Sequence, residues 1–148
     1  MTDNHTASAG GRRLRLCHRA EPGQLRQIRR RVETWARARG MPADALVDLQ
    51  LALGEAVANG VEHAYPDDRS GTVEVDLDVH RVDMHGGGRV VTARVADHGT
   101  WRPAAEHPGH RGRGLLMIDR LARRVSVERR PWGTEVRFEI PFAAQPVG

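Results

Sequence analysis

The sequence predicts an α+β fold, a two-layer sandwich of a mainly antiparallel β-sheet covered on one face by helices. Three observations carry this expectation. Residues 72–80 alternate Val73, Val75, Leu77 and Val79 with Glu74, Asp76 and Asp78, the period of a strand with one buried face. Two segments before it space their apolar residues by three and four, the period of an amphipathic helix. The elements also come in groups (strand, helix, helix, strand, strand, helix, strand, strand), where a parallel sheet would need strict alternation.

In order along the chain, Leu14, Leu16 and His18 alternate with Arg15 and Cys17 and read as a first strand. Glu21, Pro22 and Gly23 break it and open a helix to about Arg39, with Leu25, Ile28, Val32 and Trp35 or Ala36 on one stripe. Gly40 stops that helix, because glycine suits the position just past a helix end. A second helix starts near residues 42–44 and runs to His63 or Ala64, with Leu46, Leu49, Leu53, Val57 and Val61 as its apolar positions. The strand at 72–80 follows, then a turn at Gly86, Gly87 and Gly88, and a strand from Arg89 to Ala96. A loop rich in Gly, Pro and His runs from Asp97 to Arg113. Gly114 to Arg123 reads as a short helix, and strands at Val125–Glu128 and Thr134–Ile140 complete the sheet. The chain divides into an N-terminal tail (1–12), expected to be disordered, one domain (13–142) and a short C-terminal tail (143–148).

The 148 residues are enough for one buried core, with 39% apolar residues. No apolar run is long enough for a membrane-spanning helix, and the small polar start lacks the apolar stretch of a secretory signal. A single cysteine, Cys17, forms no internal disulfide, so the expected compartment is the cytoplasm. All 23 basic residues are arginine, which removes the lysine of a Walker-type phosphate loop, the strand lysine of a eukaryotic-type protein kinase, and Schiff-base chemistry. The net charge of +4 suits an anionic partner. Arg26, Arg29, Arg30, Arg37 and Arg39 share the first helix with Glu33 and read as a solvated face. With no helix-turn-helix or zinc-finger pattern, direct nucleic-acid binding is not expected. His107 and His110 alone do not make a zinc site, and Ser8, Ser70 and Ser126 do not stand in a nucleophile-elbow context.

Four segments carry chemistry. On the second helix Glu55, Asn59 and His63 fall on one face at roughly 100° per residue, away from the apolar stripe. A carboxamide oxygen there can ligate Mg²⁺, and a carboxylate can take a proton. Asp97, followed by Gly99 and Trp101, stands where a strand ends; its carboxylate can accept from an exocyclic amine, and Gly99 lets backbone approach a flat ring. Gly109 to Gly114 precedes a helix, where bare amides and the helix field favour phosphate, with Arg111 and Arg113 adding charge. Gly133-Thr134 opens the last strand with a hydroxyl that could join Asp97. Each segment alone also reads as a solvated helix face, an ordinary turn or a flexible loop.

In order and spacing the four resemble the Bergerat-fold (GHKL) ATPases, and most closely the anti-sigma-factor serine/threonine kinases. Glu55-Ala56-x-x-Asn59-x-x-x-His63-Ala64-Tyr65 looks like that family's N-box. Asp97-x-Gly99-x-Trp101 is similar to its first glycine box, and Gly112-x-Gly114-Leu115 to its second. The resemblance covers residues 14–141. It implies ATP and Mg²⁺ as cofactors, with Glu55 as general base, Asn59 holding the Mg²⁺ that bridges the phosphates, and Asp97, Gly99 and Thr134 around adenine. Phosphate would fall to Gly112, Arg113, Gly114 and Leu115. It further implies a kinase that phosphorylates a small anti-anti-sigma antagonist and sequesters a sigma factor by partner switching. The alternative is a non-catalytic ATP-binding, or ATP-independent, partner-switching module. A homodimer is compatible with either, and Trp35 could serve a core or an interface. The helix before the N-box contains no histidine, so no phosphoacceptor of a two-component sensor stands there.

Overall fold

The computed structural model describes residues 12–21, 23–59, 71–82, 88–98, 116–131 and 133–143. Within them lie β1 (Arg13–Arg19), α1 (Gln24–Ala38), α2 (Ala43–Asn59), β2 (Thr72–Arg81), β3 (Gly88–Asp97), β4 (Arg123–Arg130) and β5 (Gly133–Ala143). Residues 116–121, just before β4, are helical. The strands form one sheet in the order β1-β2-β3-β5-β4, and every neighbouring pair is antiparallel. This is the predicted two-layer α+β architecture.

The alternation read from the sequence sets which face is covered. Leu14 and Leu16 of β1, Val73, Val75 and Leu77 of β2, Val91, Ala93 and Val95 of β3, and Val136, Phe138 and Ile140 of β5 are all buried. They meet Ile28, Val32, Trp35 and Ala36 of α1 and Leu46, Leu49, Leu53 and Val57 of α2 in one core. Trp35 is 2% exposed and belongs to that core, with the Arg39 guanidinium 6.0 Å from its ring centre. α1 packs on β1, whereas α2 packs on β3 and β5.

The break between the helices has a defined cause. Gly40 takes φ 79°, the left-handed region glycine enters without a Cβ penalty. The Gly40 N–H then donates to Arg37 O, and the Met41 N–H reaches back to Ala36 O at 3.1 Å. These two bonds satisfy carbonyls that the helix end leaves open, and Met41 is buried beside them. At the start of α2 the Asp44 carboxylate accepts from the Ala45 N–H at 2.8 Å.

Several boundaries differ from the sequence reading. Arg123, expected in the last helix, is the first residue of β4, and the helix before it ends at residue 121. Arg124 has φ 54° at a register shift between Arg123 and Ser126, a bulge that turns the chain from helix into strand. In the helix before β4, Leu116 is 56% exposed, whereas Ile118 is fully buried. Gly88, expected in the turn, is the first residue of β3 and lies opposite Ala143, which itself ends β5 rather than starting a tail. No helix among the described residues is long and apolar enough to cross a membrane.

Candidate functional site

A row of residues crosses the sheet at one end. His18 of β1 lies opposite Val73, Val73 opposite Asp97, and Asp97 opposite Thr134. Because side chains alternate, all four point to the face that the helices cover. His18, Asp97 and Thr134 are accordingly buried despite being polar, at 1%, 9% and 8% exposure.

Asp97 and Thr134 are joined directly. The Thr134 backbone N–H donates to Asp97 Oδ1 at 3.3 Å. The Thr134 hydroxyl is buried with no hydrogen-bond partner. A buried hydroxyl left unmade costs on the order of 1–3 kcal/mol. Oγ1 is therefore a polar atom with an open hydrogen-bonding position. Gly133 makes the close approach possible: a Cβ there would stand 2.1 Å from Asp97 O. Glycine is required by space at that position, and this is the information hidden in the Gly-Thr pair. In isolation that dipeptide is too common to be read from sequence.

His18 was legible only as an alternating strand position. Its Nδ1–H donates to Gln24 Oε1 at 2.8 Å, which ties β1 to the start of α1. Its Nε2 is buried with no partner.

α2 runs over the strands that hold this row. It carries Glu55 and Asn59, both half-buried, one turn apart and off the apolar stripe, as the spacing predicts. Asn59 is the last described residue of the helix, and its expected continuation to His63 or Ala64 lies outside the described residues. The helix of Glu55 and Asn59 thus packs on the two strands that hold the Asp97–Thr134 pair. Gly99, Gly112, Arg113, Gly114 and Leu115 lie outside the described residues, as do His63, Tyr65 and Trp101. Among the described residues no group of three or more His, Cys, Asp or Glu side chains could hold a metal ion. An Mg²⁺ held by Asn59 and by phosphate oxygens needs no such group, so the absence leaves that assignment intact.

The uncovered face of the sheet carries charge in place of a second layer. Asp76 pairs with Arg13 at 2.9 Å and Arg15 at 3.6 Å. Glu74 takes Arg94 at 3.4 Å and His98 at 2.9 Å, and Glu135 takes Arg94 and, at 2.9 Å, Arg137. His98 therefore points away from the buried row, to the opposite face from its neighbour Asp97. The hydrogen bond from His98 holds the Glu74 carboxyl below its usual range, against the opposing effect of burial. Burial pushes Glu135 up, but hydrogen bonds from Arg137 and Arg94 outweigh it, and the net direction is down. Arg94 is likewise lowered by burial and raised further by Glu135 and Glu74, so it stays charged.

Known proteins place this geometry. The chain is similar to the serine-protein kinase RsbW of Bacillus subtilis, 27% identical over 117 residues that cover 74% of this chain and 73% of that protein. It is 28% identical over the same length to RsbW of Bacillus velezensis. Its fold is that of the crystal structure of the RsbU and RsbW domains of a Mycobacterium tuberculosis protein, with a TM-score of 0.66 at 22% identity. That match covers 92% of this chain, which spans only 34% of the larger one. Residues 18–140, from the first buried polar residue of the row to the end of the β5 core, match the histidine kinase-like ATPase domain, and the chain belongs to that family.

Proposed function

We propose that the chain is an ATP-dependent serine/threonine kinase that phosphorylates a small anti-anti-sigma antagonist and sequesters a sigma factor by partner switching. The observation that carries this is the buried Asp97–Thr134 pair, with its orphan hydroxyl, on the strands beneath the helix of Glu55 and Asn59. Membership of an ATPase-domain family implies nucleotide use, and the RsbW relatives are serine-protein kinases.

The residues divide the work. Asp97 accepts a hydrogen bond from the adenine amine, a role suited to a buried carboxylate that already orders the neighbouring backbone. The Thr134 hydroxyl gains its missing partner when the base is bound. Gly99 would allow close approach to the ring, and Gly112, Arg113, Gly114 and Leu115 would receive the phosphates. Asn59 supplies a neutral oxygen to Mg²⁺, which when bound would neutralise charge on the phosphates. Glu55 takes the proton of the attacking hydroxyl, a contribution of about 10²–10⁴ in rate for a well-placed base.

The test is phosphotransfer from labelled ATP to a small antagonist protein, with wild type beside Glu55→Ala. The kinase reading expects transfer by the wild type and its loss in the variant, with ATP affinity retained. ATP binding with no transfer by either protein would instead make the chain a nucleotide-dependent partner switch.

A further inference from the structure

One exposed apolar feature of the helical layer is not explained by a nucleotide site. Val47 and Leu51 of α2 are 55% and 43% exposed although they stand in a helix whose other large apolar residues are buried. They lie one turn apart on the same side. Beside them a groove of about 390 Å³ runs between the helices, lined by Arg29, Glu33 and Arg37 of α1 and by Leu46, Val47 and Leu51 of α2. Its floor is fixed by Gln50, whose Nε2 donates to Arg29 O at 2.9 Å, while Gln50 Oε1 is buried without a partner. The Arg29 guanidinium lies over Gly54, where a Cβ would come within 3.1 Å of it.

The α1 rim is mostly basic, whereas the far side of α2 carries Asp44, Asp48 and Glu55. Between Gln24 and Ala38, α1 carries five arginines and one acid, Glu33. Arg26, Arg29, Glu33 and Arg37 follow at spacings of three and four, so they form one stripe along the α1 edge. Glu33 is already used by Arg37, at 2.9 Å. Arg26 and Arg29 have no carboxylate partner among the described residues.

We propose that the groove between α1 and α2 docks an acidic amphipathic helix from a partner protein. Such a helix sets two apolar side chains, spaced by three or four, against Val47 and Leu51, and sets Asp or Glu beside Arg26 and Arg29. This is the helix-in-groove mode, with apolar anchors for affinity and charge for orientation. Charge complementarity selects this occupant over the others. A second copy docked with α1 against α1 would set arginine stripe against arginine stripe. Residues 1–11 of this chain carry a single acid, Asp3, and no apolar pair at helical spacing. Nucleic acid would use the arginines but leave Val47 and Leu51 without a function. The inference rests on this surface alone and stands or falls apart from the nucleotide site.

The test uses full-length protein, labelled for NMR, and a synthetic helical peptide of about four turns. The peptide carries Leu at helical spacing and Glu along the flank that meets α1; a counterpart replaces each Glu with Lys. The expected result is chemical-shift change centred on Arg29, Val47, Gln50 and Leu51 with the Glu peptide and none with the Lys peptide. Leu51→Asp, and Arg26→Glu with Arg29→Glu, should each weaken binding roughly tenfold or more, with unchanged unfolding midpoints. Equal binding of both peptides, changes centred on the open sheet face, or a DNA duplex moving these residues when the Glu peptide does not, would overturn it. Self-association that Leu51→Asp abolishes would also overturn it, by assigning the groove to a second copy.

Discussion

The Thr134 backbone N–H donates to Asp97 Oδ1 across the β3–β5 pair, while the Thr134 hydroxyl beside it is buried and unpartnered. One residue thus fixes the carboxylate with its backbone and keeps its side chain in reserve. Thr134→Val keeps the first interaction and removes the orphan. The expected outcome is a protein as stable as wild type or more so, by up to about 1 kcal/mol, because a buried unsatisfied polar atom has gone. ATP affinity should fall several-fold in the same variant. Urea unfolding and an ATP titration read the two effects, and a destabilised protein with normal ATP affinity would contradict the assignment.

Gly133→Ala should damage both properties. The added Cβ would stand 2.1 Å from Asp97 O, so β3 and β5 must part at their ends. Overpacking of this kind costs about 1–3 kcal/mol. Because the strain falls on Asp97, the loss of stability should come with weaker ATP binding, unlike the split expected for Thr134→Val.

Trp35→Ala distinguishes core from interface. At 2% exposure within the core, its loss should cost about 3–5 kcal/mol in urea unfolding. The cost should not depend on protein concentration. A cost that grew with concentration would place Trp35 between subunits.

Acid sensitivity should run through the open sheet face. Glu135 and Glu74 have folded-state pKa values held below the ordinary glutamate value, so each contributes stability above the unfolded value, near about 4.3. That contribution is lost as pH falls from there through the depressed folded value. Glu135→Gln removes one such group, so its stability deficit relative to wild type should shrink as pH falls from neutrality to below about 4. Urea midpoints across that range provide the check. A deficit that stayed constant would mean that the pairs with Arg94 and Arg137 contribute nothing.

The fold was legible wherever one face is buried and the other is not. The alternation at Val73–Val79 and the stripe Ile28–Val32–Trp35 placed β2 and α1 within a residue or two. The start of β4 was missed because its bulge at Arg124 breaks the alternation, and because arginines at 123, 124, 129 and 130 hide a strand behind helix-compatible residues. For the candidate site, the positions of Glu55, Asn59 and Asp97 were readable because helical and strand periods place them off the core stripe or at a strand end. The weight of Gly133 and Thr134 was not readable. It comes from a cross-strand register that links residues 37 apart, and no local pattern records it. The ion pairs joining Glu74, Arg94 and Glu135 were invisible for the same reason.

The central claim is a nucleotide site built on Asp97 and Asn59. It is tested most directly by calorimetric titration of the protein with ATP and Mg²⁺, beside Asp97→Ala and Asn59→Ala. Saturable binding by the wild type is expected, weakened roughly 10–100-fold by Asp97→Ala, the size expected for a buried hydrogen bond to a charged group. Asn59→Ala should bind more weakly with Mg²⁺ present and change little when the metal is chelated. Wild-type affinity in a folded Asp97→Ala variant, or no binding by the wild type, would contradict it.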